Sequence, residues 1–453
     1  MSHPKKPLTC HLAMAGLNFK HSSIDLCYRA INGSNFMSNA KKVEWKTIDD
    51  ALNDPILAKQ RLSLLNGEYP TQSIMVKDFK KERLDPVDNP CGDCELADKL
   101  GYKSYREKIK LFDDPNNWVH SNVCPETGVL KHPTRIEFRF SNVCNYACRH
   151  CNSEYSSLWS KKVRQNSEEL SEYHTVAKLH KDRFVQLFGH EDQDDTENST
   201  GANIDMTSLI PHLERVKDHK NSGVPDFMEI ELTGGEPFFQ KQTYEFLEAV
   251  KDYAPWIVLI ITTNGSIAGK FKKYNLNELL KPFGKVVLKF SLDADEHFYN
   301  YFREGGNYQN VRNNIALLRN DLPKAEFEIV ISTSNMQAAR FKDIYREFKE
   351  ITAPENFIMC EVINPSKISP TNLPTELKKR YLDEWKEYVS TLGEGEQQVA
   401  NDLAEFPVRC LENENFDEVL WDEFCIYTDK LDRIANVSVF DYFPEWEEYW
   451  TTK

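Results

Sequence analysis

Three thiols inside eight residues constrain this chain more than any other feature. Cys144, Cys148 and Cys151 lie in Ser141-Asn-Val-Cys144-Asn-Tyr-Ala-Cys148-Arg-His-Cys151-Asn152, directly after the strand-like run Arg135–Phe140. Thiolates this close on one loop can wrap a single compact metal centre. A cubane cluster has four irons with cysteine thiolates as usual ligands, so three cysteines leave one iron open to a small molecule. A structural zinc needs a fourth ligand, and His150 is the near candidate. It sits between two of the cysteines, where its ring does not easily reach the same metal.

The compartment bears on how those thiols are read. The chain holds eleven cysteines in 453 residues. Two lysines open the N-terminus, but His11, Asn18 and Lys20 interrupt any apolar signal core, so a cytoplasmic protein is expected. Disulfides are disfavoured there, and clustered cysteines more often bind metal or do redox chemistry. Seven fall into two groups, the loop triplet and Cys10, Cys27, Cys91 and Cys94. The longest apolar run, Trp256–Ile261, is six residues, far short of the roughly 20 a membrane helix needs. A net charge of −15 disfavours long nucleic acid as a partner.

Beyond the loop, short apolar strands recur at Arg135–Phe140, Met228–Leu232, Ile257–Thr262, Val286–Ser291, Glu326–Ser332 and Phe357–Val362. Helical patterns such as Lys241–Tyr253 and Val311–Arg319 lie between them. That alternation predicts a parallel sheet with crossover helices, with ligands at the strand ends. Upstream, Thr47–Leu65 and Asp93–Lys110 read as helices, and downstream Leu377–Tyr388 does. Residues 189–204 are acidic and polar, as a surface loop is. The runs Lys77–Arg83 and Lys103–Lys110 read as mixed-sign solvated faces.

The triplet spacing, with an aromatic before its last cysteine, resembles the signature of the radical S-adenosylmethionine superfamily. Glu229-Ile-Glu-Leu-Thr-Gly234-Gly235-Glu236-Pro237 is similar to that family's second motif, where glycines let a sheet edge approach the cofactor's amino group. Taken alone it also reads as a strand-to-helix turn with proline at the first helical position. Thr263-Asn264, Ser291, Asp293, Arg303, Ser332 and Asn335 follow at or just after later strand ends. The resemblance implies that these positions, with His150, line the cofactor. It covers roughly residues 132–365 and implies an α/β fold, a partial (β/α)6 TIM-like barrel. It also implies that a reduced 4Fe–4S cluster on Cys144, Cys148 and Cys151 cleaves S-adenosylmethionine to methionine and a 5′-deoxyadenosyl radical. That radical abstracts hydrogen from substrate, and a donor such as a flavodoxin or ferredoxin supplies the electron.

Cys10 and Cys27 bracket a hairpin-like stretch, and Cys91-Gly-Asp-Cys94 starts a helical one. Four cysteines can complete a 4Fe–4S cluster or hold a structural zinc. The layout resembles half of a SPASM domain, or the shorter twitch domain, here ahead of the barrel. An auxiliary 4Fe–4S cluster is expected, with zinc or unligated cysteines as alternatives. The whole resembles twitch-domain radical enzymes of bacteria and phages, including Tyr427, Leu431-Asp432 and Phe443-Pro444-Glu445. The expected division is an auxiliary module at 1–131, the barrel at 132–365 and a C-terminal helical extension at 366–453. Such modules accompany peptide modification, so a peptide or protein side chain is the expected substrate, with a nucleotide, sugar or small metabolite as the alternative. A non-catalytic iron–sulfur sensor is the reading from another class, and Gly234–Pro237 speaks against it. Cys360, Cys410 and Cys425 read as buried small hydrophobes, and Cys124 has no partner at diagnostic spacing.

Overall fold

The computed structural model describes residues 7–19, 24–25, 46–70, 91, 94–95, 98, 104–108, 118–153, 155–170, 205–218, 226–362 and 366–451. Cys27, residues 189–204 and Lys77–Arg83 lie outside them. The chain divides into two compact units: Met1–Ser141 with Ser199–Ile261 and Glu278–Val286, and Asn142–Asn198 with Thr262–Asn277 and Val287–Lys453. No helix among the described residues is long and apolar enough to cross a membrane.

In the first unit, strand Arg135–Arg139 pairs in parallel with Met228–Thr233, and that strand pairs in parallel with Ile257–Thr263. Ile136, Phe138, Ile230, Leu232, Leu259 and Ile261 share one face and are essentially buried, and Arg135, Glu137, Glu231 and Ile260 on the other face are buried too, as fits a sheet covered on both faces. Phe138 stacks on Phe140 and Phe19 and meets Phe246 of the helix Lys241–Val250. The hairpin expected between Cys10 and Cys27 takes a different form. His11–Ala15 is a short helix, and Gly16–Phe19 pairs in parallel with Arg135–Arg139. Among the described residues, Asn18–Phe19 and Ile24–Asp25 form the antiparallel arm.

The Thr47–Leu65 helix is two helices, Ile48–Leu52 and Pro55–Leu65. Asp54 breaks and restarts the chain there. Its carboxylate accepts from the Ile56 and Leu57 amides, and Pro55 occupies the first helical position, where its missing N–H costs nothing.

In the second unit, Glu326–Thr333 pairs in parallel with Lys285–Ser291 and with Phe357–Glu361. The helix Tyr308–Asp321 is capped by Asn307, which accepts from the Asn310 amide. Three longer helices follow, Thr375–Ser390, Glu394–Glu412 and Glu418–Ala435. The last packs Trp421 and Phe424 against Trp446 and Trp450 of the tail.

Candidate functional site

The three-cysteine loop is held from behind by the helix that follows it, Ser157–Gln165. The Cys144 amide donates to Ser157 Oγ at 3.1 Å, and Ser156 Oγ donates to the Tyr146 carbonyl at 2.6 Å. Trp159, fully buried, donates its indole N–H to the Cys148 carbonyl at 2.7 Å. From the other side, Ala147–Cys148 pairs antiparallel with Arg303–Glu304, placing Arg303 opposite Cys148. Gly305 closes that turn at φ +90°, and a Cβ there would sit 2.8 Å from the Asn145 carbonyl oxygen. Only glycine fits such a close approach in the left-handed region.

Burial pushes the Cys148 thiol up to about 11. It also pushes Cys151 well above its ordinary value, with the charges of Cys148 and Cys144 adding to the effect. The three thiols therefore share one electrostatic neighbourhood. Left to themselves, such buried thiols stay protonated at neutral pH, and a bound cation is what would make them thiolates. Among the described residues no three His, Cys, Asp or Glu side chains form a group fit for a single metal ion. A cubane asks for something different, one thiol on each of three irons. The Tyr146 amide also points at Cys144 Sγ, 3.5 Å away, a contact that suits a ligated sulfur. The donor set fits an iron–sulfur cluster.

Four of the strand-end residues meet beside this loop. Asp293, fully buried at φ +60°, accepts from the Ser332 amide at 2.7 Å and lies 3.1 Å from Arg303 Nη2. Arg303 also donates to the Ser291 carbonyl. Burial opposes the Arg303 charge, but the neighbouring Cys148 and Asp293 outweigh it and hold its pKa above the ordinary value. Ser291 and Ser332 thus enter through their backbone. His150 stacks on Phe302 with ring centroids 5.1 Å apart, and its Nε2 is 3.9 Å from Asp293 Oδ2. Burial lowers its pKa, so the ring is neutral. His150 Nδ1 and Arg303 Nε are buried donors or acceptors without a hydrogen-bond partner, as groups awaiting a ligand are.

Asn264 joins through a residue that spacing did not reveal. Its Nδ2 donates to Asn145 Oδ1 at 2.9 Å, and Asn145 Nδ2 donates to Ser266 Oγ at 3.0 Å. Asn145 lies between two of the cysteines, so the loop's own side chain ties it to the Thr263–Gly265 turn. Thr263 Oγ1 accepts from the Gly265 amide within that turn. Asn335 is not part of this knot. Buried at a helix start, it accepts from the Met336 amide and reaches the Asn372 carbonyl.

Gly234, Gly235 and Glu236 belong to the first unit. Gly234 has φ +119°, and a Cβ there would come within 2.8 Å of the Ser141 carbonyl oxygen. That oxygen accepts from the Gly235 amide, while Glu236 caps the turn by accepting from the Phe238 amide. Arg149 is another residue that the sequence did not mark. Buried between Cys148 and Cys151, it donates through Nε to the Tyr301 carbonyl and pairs with Asp432.

Of the second cysteine group, Cys10 is buried and Cys91 and Cys94 are half-buried. Burial pushes the Cys10 thiol up, with the Cys94 charge adding and Arg106 opposing. Arg106 itself donates to the Thr9 carbonyl and to Asp98. Elsewhere Cys410 and Cys425 are buried, whereas Cys360 is exposed rather than packed. Cys124 donates to Glu126 at 3.1 Å.

Neither a family model nor a curated relative matches the chain. Among solved structures, native anSMEcpe with bound AdoMet is 18% identical with a TM-score of 0.34, the match covering 56% of this chain and 60% of that one. Streptococcus suis SuiB bound to precursor peptide SuiA is 13% identical with a TM-score of 0.33, covering 69% and 65%. At these scores neither neighbour bears on the function of this chain.

Proposed function

We propose that this chain is a radical S-adenosylmethionine enzyme. The observation that carries the reading is the loop of Cys144, Cys148 and Cys151, braced against Arg303 and followed along the chain by the Gly234–Glu236 turn, Asn264 and Asp293 in the family's order. Bound there, a 4Fe–4S cluster would supply one-electron cleavage of S-adenosylmethionine. The chain's own part is to hold and orient. The three cysteines would take three irons and leave the fourth for the cofactor's amino and carboxylate groups.

Arg303 is a fixed cation for a carboxylate, its direction set by Asp293 and the Ser291 carbonyl. Neutral His150 offers a flat ring and an unused Nδ1 to the nucleoside. The glycines of the 234–235 turn keep a backbone edge bare of side chains. The burial of these groups would keep water out of the site. Ser291, Thr263, Ser332 and Asn335 complete the set that the resemblance names.

Cys10, Cys27, Cys91 and Cys94 are proposed to hold an auxiliary 4Fe–4S cluster, with zinc as the alternative. On that module rests the substrate class, a peptide or protein side chain. Residues 1–131, 132–365 and 366–453 are the corresponding module, barrel and extension. A flavodoxin- or ferredoxin-type donor and a cytoplasmic setting complete the proposal.

Iron and sulfide counting tests the assignment of both sites. Anaerobically reconstituted wild type should bind about eight irons, and the Cys144/Cys148/Cys151 triple alanine variant about four. Equal iron in the two proteins would remove the loop from the reading. A triple variant that keeps no iron would remove the auxiliary cluster.

A further inference from the structure

The loop that carries the cysteines is fastened at one more point, by a residue far along the chain. Arg149 stands between Cys148 and Cys151 and is almost wholly buried, at 4% exposure. Its amide donates to the Phe302 carbonyl at 2.9 Å, and its Nε donates to the Tyr301 carbonyl at 2.9 Å. Its guanidinium carbon lies 3.6 Å over the Tyr301 ring. Arg149 is therefore stitched to the two residues that precede Arg303, the partner of Cys148 across the short antiparallel pair.

A guanidinium buried this deeply needs a counter-charge. It comes from the helix Glu418–Ala435: Asp432 Oδ1 is 2.6 Å from Arg149 Nη2. Asp432 is itself buried, at 6% exposure, and Oδ2 accepts from the Val439 amide at 2.6 Å and the Tyr301 hydroxyl at 3.3 Å. One carboxylate thus joins the C-terminal helix, the tail after it, the Tyr301 side chain and the cluster loop. Close by, Tyr427 and Leu431 of the same helix pack with Ala147, Trp159 and Cys151.

We propose that Asp432 is a positioning residue for the cluster loop. By holding Arg149 against Tyr301 and Phe302, it fixes the backbone from which Cys148 and Cys151 project, and so makes the C-terminal helix a working part of the metal site. The clamp is a property of the folded chain with or without metal, although its use rests on the function proposed above.

Thiol alkylation of the metal-free full chain, read peptide by peptide by mass spectrometry, tests the clamp without reference to iron. Asp432→Asn keeps the shape and removes the charge. It should speed labelling of Cys148 and Cys151 about tenfold while leaving Cys410, buried in the helix Glu394–Glu412, unchanged. Arg149→Lys, which keeps the charge but loses the Nε bond to Tyr301, should do the same, and Asp432→Glu should restore part of the protection. Trp421→Phe is the control for a merely loosened helix. It cuts the indole bond to the Tyr449 carbonyl without touching Arg149, so it should lower Tm and leave the two cysteines protected.

Wild-type labelling rates in both Asp432→Asn and Arg149→Lys would overturn the proposal. So would Trp421→Phe exposing Cys148 and Cys151 as much as Asp432→Asn does. After reconstitution, Asp432→Asn should also show a changed electron paramagnetic resonance line shape for the reduced cluster. If wild type and the Cys144/Cys148/Cys151 triple alanine variant bind equal iron, the cluster assignment fails while the alkylation result still decides the clamp.

Discussion

At the scale of single residues, Asp293 shows how much one side chain is asked to do. It adopts a left-handed backbone, accepts from the Ser332 amide and fixes Arg303, all while fully buried. Asparagine tolerates the same backbone conformation and is nearly isosteric, so Asp293→Asn isolates the charge. It would leave Arg303 buried and uncompensated, which costs about 3–5 kcal/mol when one partner of a buried pair is removed. Urea unfolding should show a loss of that order, and a loss below about 1 kcal/mol would mean that Arg303 finds another counter-charge. The cysteines were legible in the sequence because three in eight residues are rare and chemically specific. Asn145 and Arg149 were not, and Asp432 was marked only as part of the tail's resemblance, with no role attached. Each is an ordinary polar residue whose partner lies more than a hundred positions away, so no spacing announces it.

Among the secondary-structure elements, the helix Ser157–Gln165 supports the loop most directly. Its Ser156 cap accepts from the Trp159 amide, and Trp159 reaches back to the Cys148 carbonyl. Trp159→Phe keeps most of the apolar bulk and removes one of two donors to that carbonyl, which still accepts from the Cys151 amide, a change worth about 0.5–1.5 kcal/mol. The expected drop in chemical stability should come with faster loss of bound iron, and unchanged iron retention would show that the loop does not depend on this bond. Strands were the easiest elements to read. Ile257–Thr263 and Glu326–Thr333 fall within a residue of their predicted bounds, because their apolar runs have nowhere else to go. Gly16–Phe19 escaped notice for the opposite reason. It is four residues long, and what makes it a strand is its parallel register with Arg135–Arg139, a tertiary fact. The break in Thr47–Leu65 is written in Asp54-Pro55, a cap and a first-turn proline, a local signal that outranks the helical periodicity running through it.

Over the whole molecule, the acidic balance and the buried cations pull in different directions. Lys367 is buried beside the Tyr427 ring, and burial brings its pKa down to about 8. The unfolded chain keeps the ordinary value near 10.4, so between about 8 and 10 it binds more protons than the folded chain. Stability contributed by this group therefore rises with pH across that window and is at its least below it. Lys367→Met removes the titration. Its stability relative to wild type should fall as pH rises from 8 to 10, measured by parallel denaturant curves, and a constant difference would assign Lys367 no part in the pH response. The sequence foresaw a parallel α/β sheet and helices beyond it. Burial of a particular lysine, or the attachment of the last helix to the cysteine loop, depends on packing that composition does not encode.

The account stands on the chemistry assigned to the three-cysteine loop, and one product measures it. Reconstituted, reduced wild-type protein incubated anaerobically with S-adenosylmethionine should release 5′-deoxyadenosine and methionine, quantified by liquid chromatography, and Cys144→Ala should release neither. Absence of 5′-deoxyadenosine from an iron-replete wild type, or equal yields from wild type and Cys144→Ala, would contradict it.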